Sequence, residues 1–289
     1  MLLIIEKSVG KNRANKSSDV RKIQALLNVF NRKKGLPIIN ITGVFDEKTS
    51  KSLLEFKKST QHKQLLDESV ILNGNTFKAL KEVLATTFTV KSISPPKEGA
   101  LTWNSEGNEG GRFHSRKLHV PSENSGLTLG RGYDLKLKSI TTIRRDLAFS
   151  GLNQERITIL LKARGLKGAQ ARSFIIDNDL LDFELTTDAQ IKLFKISYDY
   201  EKSEVIRICK KLDVVNRYGV TDWDNLDEKI KEVLVDLKFR GDYSPLTRVL
   251  IQPIVVRNDI KAFKEVMSNR ANWQSVPQDR FEARAKFLQ

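Results

Sequence analysis

Apolar residues recur at helical spacing along most of this chain, and this periodicity is the strongest constraint on its fold. Stripes at i, i+3 and i+4 run through residues 17–90 and return from about residue 141 onward. Residues 100–140 are instead rich in Gly, Ser, Asn and His, with little helical period. We therefore predict a mainly α-helical protein with one short irregular or β region.

The pattern in residues 17–90 predicts three short helices around one small core. The first carries an apolar stripe from Val20 to Phe30 and ends at Gly35. The expected N-cap residues, whose side chains accept hydrogen bonds from the first helical turn, are Ser17 or Ser18, Asp46 and Asn75. Pro95-Pro96 then breaks the periodicity. We predict an all-α three-helix domain at 1–91, a linker at 92–99 and a larger domain at 100–289.

The positive net charge of the chain predicts an anionic binding partner. The 289 residues hold 50 Lys and Arg against 35 Asp and Glu, a formal charge of +15, and residues 1–92 alone hold 17 basic and 8 acidic residues. The basic cluster of that region comprises Arg13, Lys16, Arg21, Lys22, Arg32, Lys33 and Lys34. Phe30 fits the core stripe, so no exposed stacking platform for nucleic acid is visible. We expect a bacterial wall or an anionic membrane surface, with a plain solvated face as the alternative.

Several classes of protein are excluded by the residues that are scarce. A single cysteine, Cys209, rules out an internal disulfide and lies in an amphipathic helical pattern, where we expect a buried small side chain. Three histidines and one cysteine are too few for a readily formed zinc site, so we expect no metal and no cofactor. The first seven residues are too short an apolar run for a secretory signal or a membrane span.

The segment Ser125–Leu135 carries the most chemical information. Leu127 and Leu129 alternate with Thr128, which predicts a short strand with Thr128 on the opposite face. A straight strand would separate Thr128 from Asp134 by about 20 Å, because each residue adds about 3.3 Å. Gly130 and Gly132 allow the backbone to turn back, and the resulting hairpin would bring the hydroxyl and the carboxylate together.

A second carboxylate, Glu106, precedes this segment and could face the same cleft. Paired carboxyl groups suit glycoside hydrolysis, in which one donates a proton to the leaving oxygen and the other activates water or stabilises positive charge. Acidic residues in a glycine-rich loop are also common turn formers. Glu109 repeats the Glu-Gly pair three residues later and is the alternative acid.

The hairpin segment Ser125-Gly-Leu-Thr-Leu-Gly-Arg-Gly-Tyr-Asp-Leu135 resembles the signature of the pesticin-type branch of the phage lysozyme superfamily. The branch has a Glu followed by Gly, then a Thr in a hairpin and an Asp six residues later, which matches Glu106-Gly107, Thr128 and Asp134. The segments Phe239–Tyr243 and Asn272–Arg284 add support. The resemblance covers roughly residues 100–289 and implies an α+β lysozyme-like catalytic domain with Glu106, Thr128 and Asp134 as catalytic residues.

The first 90 residues resemble the three-helix peptidoglycan-binding module found on many wall hydrolases. The matching residues are Val20–Asn28, Gly43–Asp46, Thr49, Phe56 and Gly74–Thr76. Most of these are core and cap positions, so the resemblance indicates the fold better than the ligand, and individual wall-binding residues are left unassigned.

Two other interpretations concern residues near Glu106 and the hairpin. His114 and Ser115, with Asp134, could form a hydrolase triad, although the Gly-x-Ser-x-Gly turn that carries a nucleophilic serine in many hydrolases is missing. His114 and His119 could equally line a sugar cleft or solvate a loop. Trp103 fits a core position and could also supply an apolar wall beside Glu106.

Taken together, these resemblances imply a monomeric phage endolysin that binds and lyses bacterial peptidoglycan. The expected reaction is cleavage of the β-1,4 bond between N-acetylmuramic acid and N-acetylglucosamine, with inversion and retention both open. We expect synthesis in a host bacterial cytoplasm and action on the wall or periplasm after release. The alternatives are a bacteriocin or secreted effector with the same chemistry, and a non-catalytic protein that binds the wall or nucleic acid.

Overall fold

The computed structural model describes residues 3–60, 67–111 and 114–289. These residues form thirteen α-helices, one short 3-10 helix at Arg270–Trp273 and four strands of two residues each. The predicted mainly α class is confirmed, and the predicted small β-hairpin is present.

By internal contacts the chain forms two compact units. The first combines Met1–Ser92 with Glu109–Gln190, and the second combines Ile93–Asn108 with Ile191–Gln289. The chain leaves the first unit at Ser92, where the linker is predicted to begin. The division into a wall-binding domain, a linker and a catalytic domain stays a prediction.

In the part of the chain that the structure describes, the first unit contains six helices and four strands. Its elements are β1 (Val9–Gly10), α1 (Ser17–Lys34), α2 (Glu47–Ser59), β2 (Ser69–Val70), α3 (Asn75–Ala85), β3 (Thr128–Leu129), β4 (Tyr133–Asp134), α5 (Ile140–Phe149), α6 (Gln154–Leu161) and α7 (Gly168–Asp177). Strand β1 pairs antiparallel with β2, and β3 pairs antiparallel with β4.

Six helices and part of a seventh build the second unit. Its own elements are α4 (Ala100–Ser105), α9 (Leu212–Tyr218), α10 (Glu228–Arg240), α11 (Pro245–Val256), α12 (Ile260–Ser268) and α13 (Gln278–Leu288). The long helix α8 (Thr187–Cys209) begins in the first unit and continues into the second.

Helices α1, α2 and α3 have the predicted common core. Phe30 is 3% exposed and meets the ring of Phe56 edge-on at 5.1 Å between centroids. Gly35 ends α1 with φ of 67°, a left-handed conformation that glycine adopts without steric cost. The carboxylate of Asp46 accepts the backbone N–H of Thr49 at 2.8 Å and caps α2 as predicted.

The other two predicted caps are wrong. Helix α1 starts one residue earlier than expected, after Lys16, and Ser17 is its first helical residue. The Ser17 hydroxyl packs on Gly43 instead, where an added Cβ would lie 2.3 Å from Oγ. Helix α3 is preceded by Gly74, whose carbonyl accepts the N–H of Lys78, so Asn75 also lies inside its helix rather than at its cap.

The basic cluster is less available to an outside anion than its sequence suggests. The Arg32 guanidinium contacts Asp179 at 2.5 Å and Asp182 at 2.6 Å. Lys16 pairs with Glu6, Arg21 with Asp177 and Lys22 with Asp19. Four of its seven members are therefore held by carboxylates of the first unit itself, and Arg32 ties α1 to the chain that follows α7.

The second unit has one continuous apolar core. Trp103, 2% exposed, meets the ring of Phe194 edge-on at 5.1 Å. Cys209 is buried near the hydroxyl of Tyr243, as expected for a small core residue. Helix α4 is therefore anchored to this core by its inner face, which fixes the position of the residues that follow the helix.

Of the helices that the structure describes, none has both the length and the apolar character needed to cross a membrane. Within residues 3–60, 67–111 and 114–289, no group of three or more His, Cys, Asp or Glu side chains is placed to hold a metal ion.

Candidate functional site

The β3–β4 hairpin places Thr128 directly opposite Asp134. The antiparallel register pairs Thr128 with Asp134 and Leu129 with Tyr133 around a turn at Gly130, Arg131 and Gly132. Gly130 has φ of 55° and Gly132 φ of 91°, the conformations that the predicted turn required. Directly opposed residues have side chains on one face of a sheet, so the hydroxyl and the carboxylate are neighbours.

A third segment lies on the other side of Thr128. The N–H of His119 bonds the Thr128 carbonyl at 3.2 Å, and the Thr128 N–H bonds the His119 carbonyl at 2.8 Å. Both backbone groups of Thr128 are therefore directed to His119. The Thr128–Asp134 pair is consequently of the non-hydrogen-bonded kind, in which the Cα atoms are about 4.5 Å apart and side chains lie closest.

The Asp134 carboxylate is held by two backbone donors. Oδ2 accepts the N–H of Gly126 at 2.9 Å, and Oδ1 accepts the N–H of Lys136 at 2.7 Å. A Cβ added to Gly126 would lie 2.2 Å from Oδ1, so this position requires glycine for the carboxylate to approach. The Thr128 hydroxyl donates to the Gly126 carbonyl at 3.3 Å. Gly126 thus connects both polar side chains of the hairpin.

The opposite face of the hairpin is built into the core. Leu127, Leu129, Tyr133 and Leu135 are all fully buried, which confirms the alternation expected from the sequence. The Tyr133 hydroxyl donates to the buried carboxylate of Asp146 at 2.8 Å. Burial, followed by this carboxylate, raises the pKa of Tyr133, so the phenol stays a donor. Because these side chains hold the hairpin in the core, the face that carries Thr128 and Asp134 has a fixed orientation.

Glu106 lies in the second unit, directly after α4. Its N–H bonds the Thr102 carbonyl at 2.9 Å and ends the helix. The side chain is 22% exposed and forms an ion pair with Arg280 at 2.8 Å. It lines an open cavity of about 880 Å³. The other lining residues are Ala100, Leu101, Asn104, Ser105, Gly107, Asn108, Arg240, Pro277, Asp279, Arg280, Ala283, Lys286 and Phe287. Trp103 belongs to the core and is absent from this set.

A buried ionic network fixes the partner of Glu106. Asp236 on α10 is 0% exposed and accepts Arg280 Nη2 at 2.5 Å and Arg284 Nε at 2.7 Å, both from α13. The Thr102 hydroxyl of α4 donates to the same carboxylate at 3.0 Å. Helices α4 and α13 therefore both contact Asp236 of α10, and Arg280 forms ion pairs with Asp236 and with Glu106.

Glu109, the alternative acid, lies in the first unit and is surrounded by donors. Arg116 Nε bonds its Oε2 at 2.9 Å, and Oε1 accepts Gln190 at 2.8 Å, Ser115 at 3.1 Å and Arg131 at 3.1 Å. Burial alone would raise its pKa, but these hydrogen bonds outweigh burial and lower it. A carboxylate held ionised in this way is poorly suited to donate a proton. Glu109 accepts a hydrogen bond from Arg131, which lies in the turn of the β3–β4 hairpin, and this contact fixes the turn.

The suggested His–Ser–Asp triad is not formed by these contacts. His114 Nδ1 accepts the N–H of Gly110 at 2.7 Å, and its Nε2 lies 2.8 Å from Glu184. Ser115 is bonded to Glu109, and the Asp134 carboxylate to backbone groups. His114 is buried and holds the loop of Glu109, which is a structural role.

The predicted site residues thus fall into two groups. Thr128 and Asp134 are brought together on the hairpin of the first unit, whereas Glu106 belongs to the second. Sequence reasoning did not identify Asp236 or Arg280. A usable signal existed, because Asp236 interrupts the apolar run Val233–Leu237, and a charge on the inner stripe of a helix requires a partner.

Comparison with known families matches residues 99–285 to a family described as a domain of unknown function, DUF8812. The match covers more than half of the chain, so the chain belongs to this family. A search of curated proteins finds no match.

Proposed function

We propose that the chain is a peptidoglycan hydrolase of the lysozyme kind. In this proposal the larger domain has a lysozyme-like fold and cleaves the β-1,4 bond between N-acetylmuramic acid and N-acetylglucosamine, lysing the bacterial cell. The observation that carries it is the register of the β3–β4 hairpin, which pairs Thr128 with Asp134 on one polar face. The resemblance of this hairpin to the pesticin-type branch gives the pairing its chemical interpretation.

The proposed reaction uses water as its only co-reactant. Glu106 gives a proton to the glycosidic oxygen as the bond from that oxygen to the sugar C1 breaks. The oxygen of a water molecule bonds C1, and its proton passes to Asp134. The Thr128 hydroxyl helps to position that water. The two backbone donors on Asp134 leave each carboxylate oxygen one further acceptor position for this task.

Glu106 has to carry a proton to act as the acid. The positive charge of Arg280 favours an ionised Glu106, but the same guanidinium is bonded to both oxygens of Asp236. A sugar bound in the cavity would displace water from Glu106 and favour its protonated form. Glu109 is kept ionised by its four hydrogen-bond donors and so has no proton to give near neutral pH.

Helices α1, α2 and α3 would hold the wall, as their resemblance implies, and the chain would reach it from the bacterial cytoplasm through a membrane pore.

The test is dye release from purified, stained peptidoglycan by the full chain. Asp134→Asn should reduce release about 10²- to 10⁴-fold, with an unchanged melting temperature. Asp199→Asn, which alters a half-exposed carboxylate paired with Lys195, is the matched control. Full release by Asp134→Asn would contradict the proposal.

A further inference from the structure

His119 lies beside Thr128 on the polar face of the hairpin. The two backbone hydrogen bonds that it exchanges with Thr128 make these residues direct cross-strand neighbours. Thr128 in turn lies opposite Asp134. Opposed residues share a face, so the side chains of His119, Thr128 and Asp134 follow one another across the His119 segment, β3 and β4.

The tautomer of His119 follows from its surroundings. Nδ1 lies 3.0 Å from the carbonyl oxygen of Lys117, which can only accept, so Nδ1 carries the proton and donates it. Burial lowers the pKa of this imidazole, which favours its neutral form. In the neutral ring Nε2 is then an acceptor. Within residues 3–60, 67–111 and 114–289, the hydrogen bond of Nδ1 is the only one that His119 forms through its ring, and Nε2 has no partner there.

This arrangement matches the hydrogen-bonding needs of a water molecule about to attack a sugar. Such a water has two hydrogens and two lone pairs. One hydrogen passes to the Asp134 carboxylate, and one lone pair bonds C1. The other lone pair can accept from the Thr128 hydroxyl, whose bond to the Gly126 carbonyl is long at 3.3 Å. The second hydrogen still needs an acceptor on the same face.

We infer that His119 Nε2 accepts that second hydrogen and orients the attacking water between Thr128 and Asp134. The inference rests on the proposed hydrolase function and adds one residue to the same site. His119 is not the base: it accepts a hydrogen bond while the proton goes to Asp134. This hydrogen bond fixes the direction of the water lone pair that bonds C1. His119 therefore contributes to the rate of the reaction rather than to the affinity for the substrate.

The test compares three variants of the full chain on purified peptidoglycan. His119→Ala removes the acceptor and should lower kcat about 10²-fold, with KM unchanged. His119→Gln offers an amide oxygen in its place and should restore most of kcat. Val120→Ala changes the next residue, which forms no bridge to Thr128 within the described residues, and should match the wild type. Wild-type kcat in His119→Ala, an equal loss in Val120→Ala, or failure of His119→Gln to restore kcat would overturn the inference.

A second readout is independent of turnover. The ¹⁵N chemical shifts of His119 near neutral pH should show a proton on Nδ1 and a lone pair on Nε2, and the opposite tautomer would overturn the inference. Failure of the proposed role of His119 can be distinguished from failure of the proposed hydrolase function. If the wild type solubilises peptidoglycan and His119→Ala does so equally fast, only the role of His119 is lost. If the wild type releases nothing, the hydrolase proposal fails as well.

Discussion

Glu106 and Glu109 are three residues apart, and each is followed by glycine, yet they belong to different compact units. Glu106 lines an open cavity and has Arg280 as its ionic partner. Glu109 is bonded to Arg116, Arg131, Ser115 and Gln190, and its side chain is only 11% exposed. Two glutamates of the same short motif therefore have different environments: one lines an open cavity, and the other is enclosed by donors that keep it ionised. The sequence motif alone does not reveal this difference.

The largest effect on turnover is expected at Glu106. Glu106→Gln removes the proposed proton donor while keeping the shape of the side chain, so turnover of purified peptidoglycan should fall about 10³-fold. The melting temperature, followed by circular dichroism, should stay within a few degrees of the wild type. If Glu106→Gln retains turnover while a folded Glu109→Gln has none, the two assignments would have to be exchanged.

Glu109→Gln should act on stability instead. It removes the negative charge between two nearly buried guanidinium groups, those of Arg116 and Arg131, and should lower the free energy of unfolding by about 3 kcal/mol. Urea denaturation measures this loss. Glu123→Gln, at a carboxylate whose side chain is 75% exposed, is the control and should change stability by less than about 0.5 kcal/mol. Equal stability of the two variants would contradict the structural role of Glu109.

The hairpin that Glu109 anchors can be disturbed from within. Gly126→Ala places a Cβ 2.2 Å from Asp134 Oδ1 and must displace that carboxylate, so turnover should fall about 10²-fold. Gly130→Ala is the matched change in the same hairpin. Its Cβ meets no atom closer than 3.4 Å, but its φ of 55° costs about 1–2 kcal/mol. It should therefore lower stability with little change in turnover per folded molecule, and the reverse ranking would contradict the role given to Gly126.

The smallest effect is a pH dependence of stability. The folded pKa of Glu109 lies below its ordinary value of 4.5, so its contribution is fully present above that pH. It is lost as the pH falls from about 4.5 through the folded pKa, because the unfolded chain then binds the proton more readily. Wild-type protein should therefore lose more stability than Glu109→Gln between pH 5 and about pH 3 in urea titrations. Parallel curves would show that Glu109 is not held ionised by its donors.

Much of the hairpin could be predicted from local rules. The alternation of Leu127 and Leu129, followed by two glycines, was enough to place Thr128 opposite Asp134. The surroundings of Glu106 and Glu109 were not predictable in this way, because their partners lie far along the chain: Arg280 is 174 residues from Glu106, and Gln190 is 81 from Glu109. Helix caps failed at Ser17 and Asn75 for a related reason, since a shift of one residue decides which side chain reaches the first turn.

Hydrolysis in H₂¹⁸O tests the central claim most directly. Purified peptidoglycan is digested by the full chain, and the soluble products are sequenced by tandem mass spectrometry. If water attacks C1 of N-acetylmuramic acid in its bond to N-acetylglucosamine, one ¹⁸O atom will be found on C1 of a reducing-end N-acetylmuramic acid. Label on the lactyl carboxylate would indicate an amidase, label on N-acetylglucosamine a different glycosidase, and unlabelled anhydro sugar a transglycosylase. Any of these results would contradict the proposed reaction.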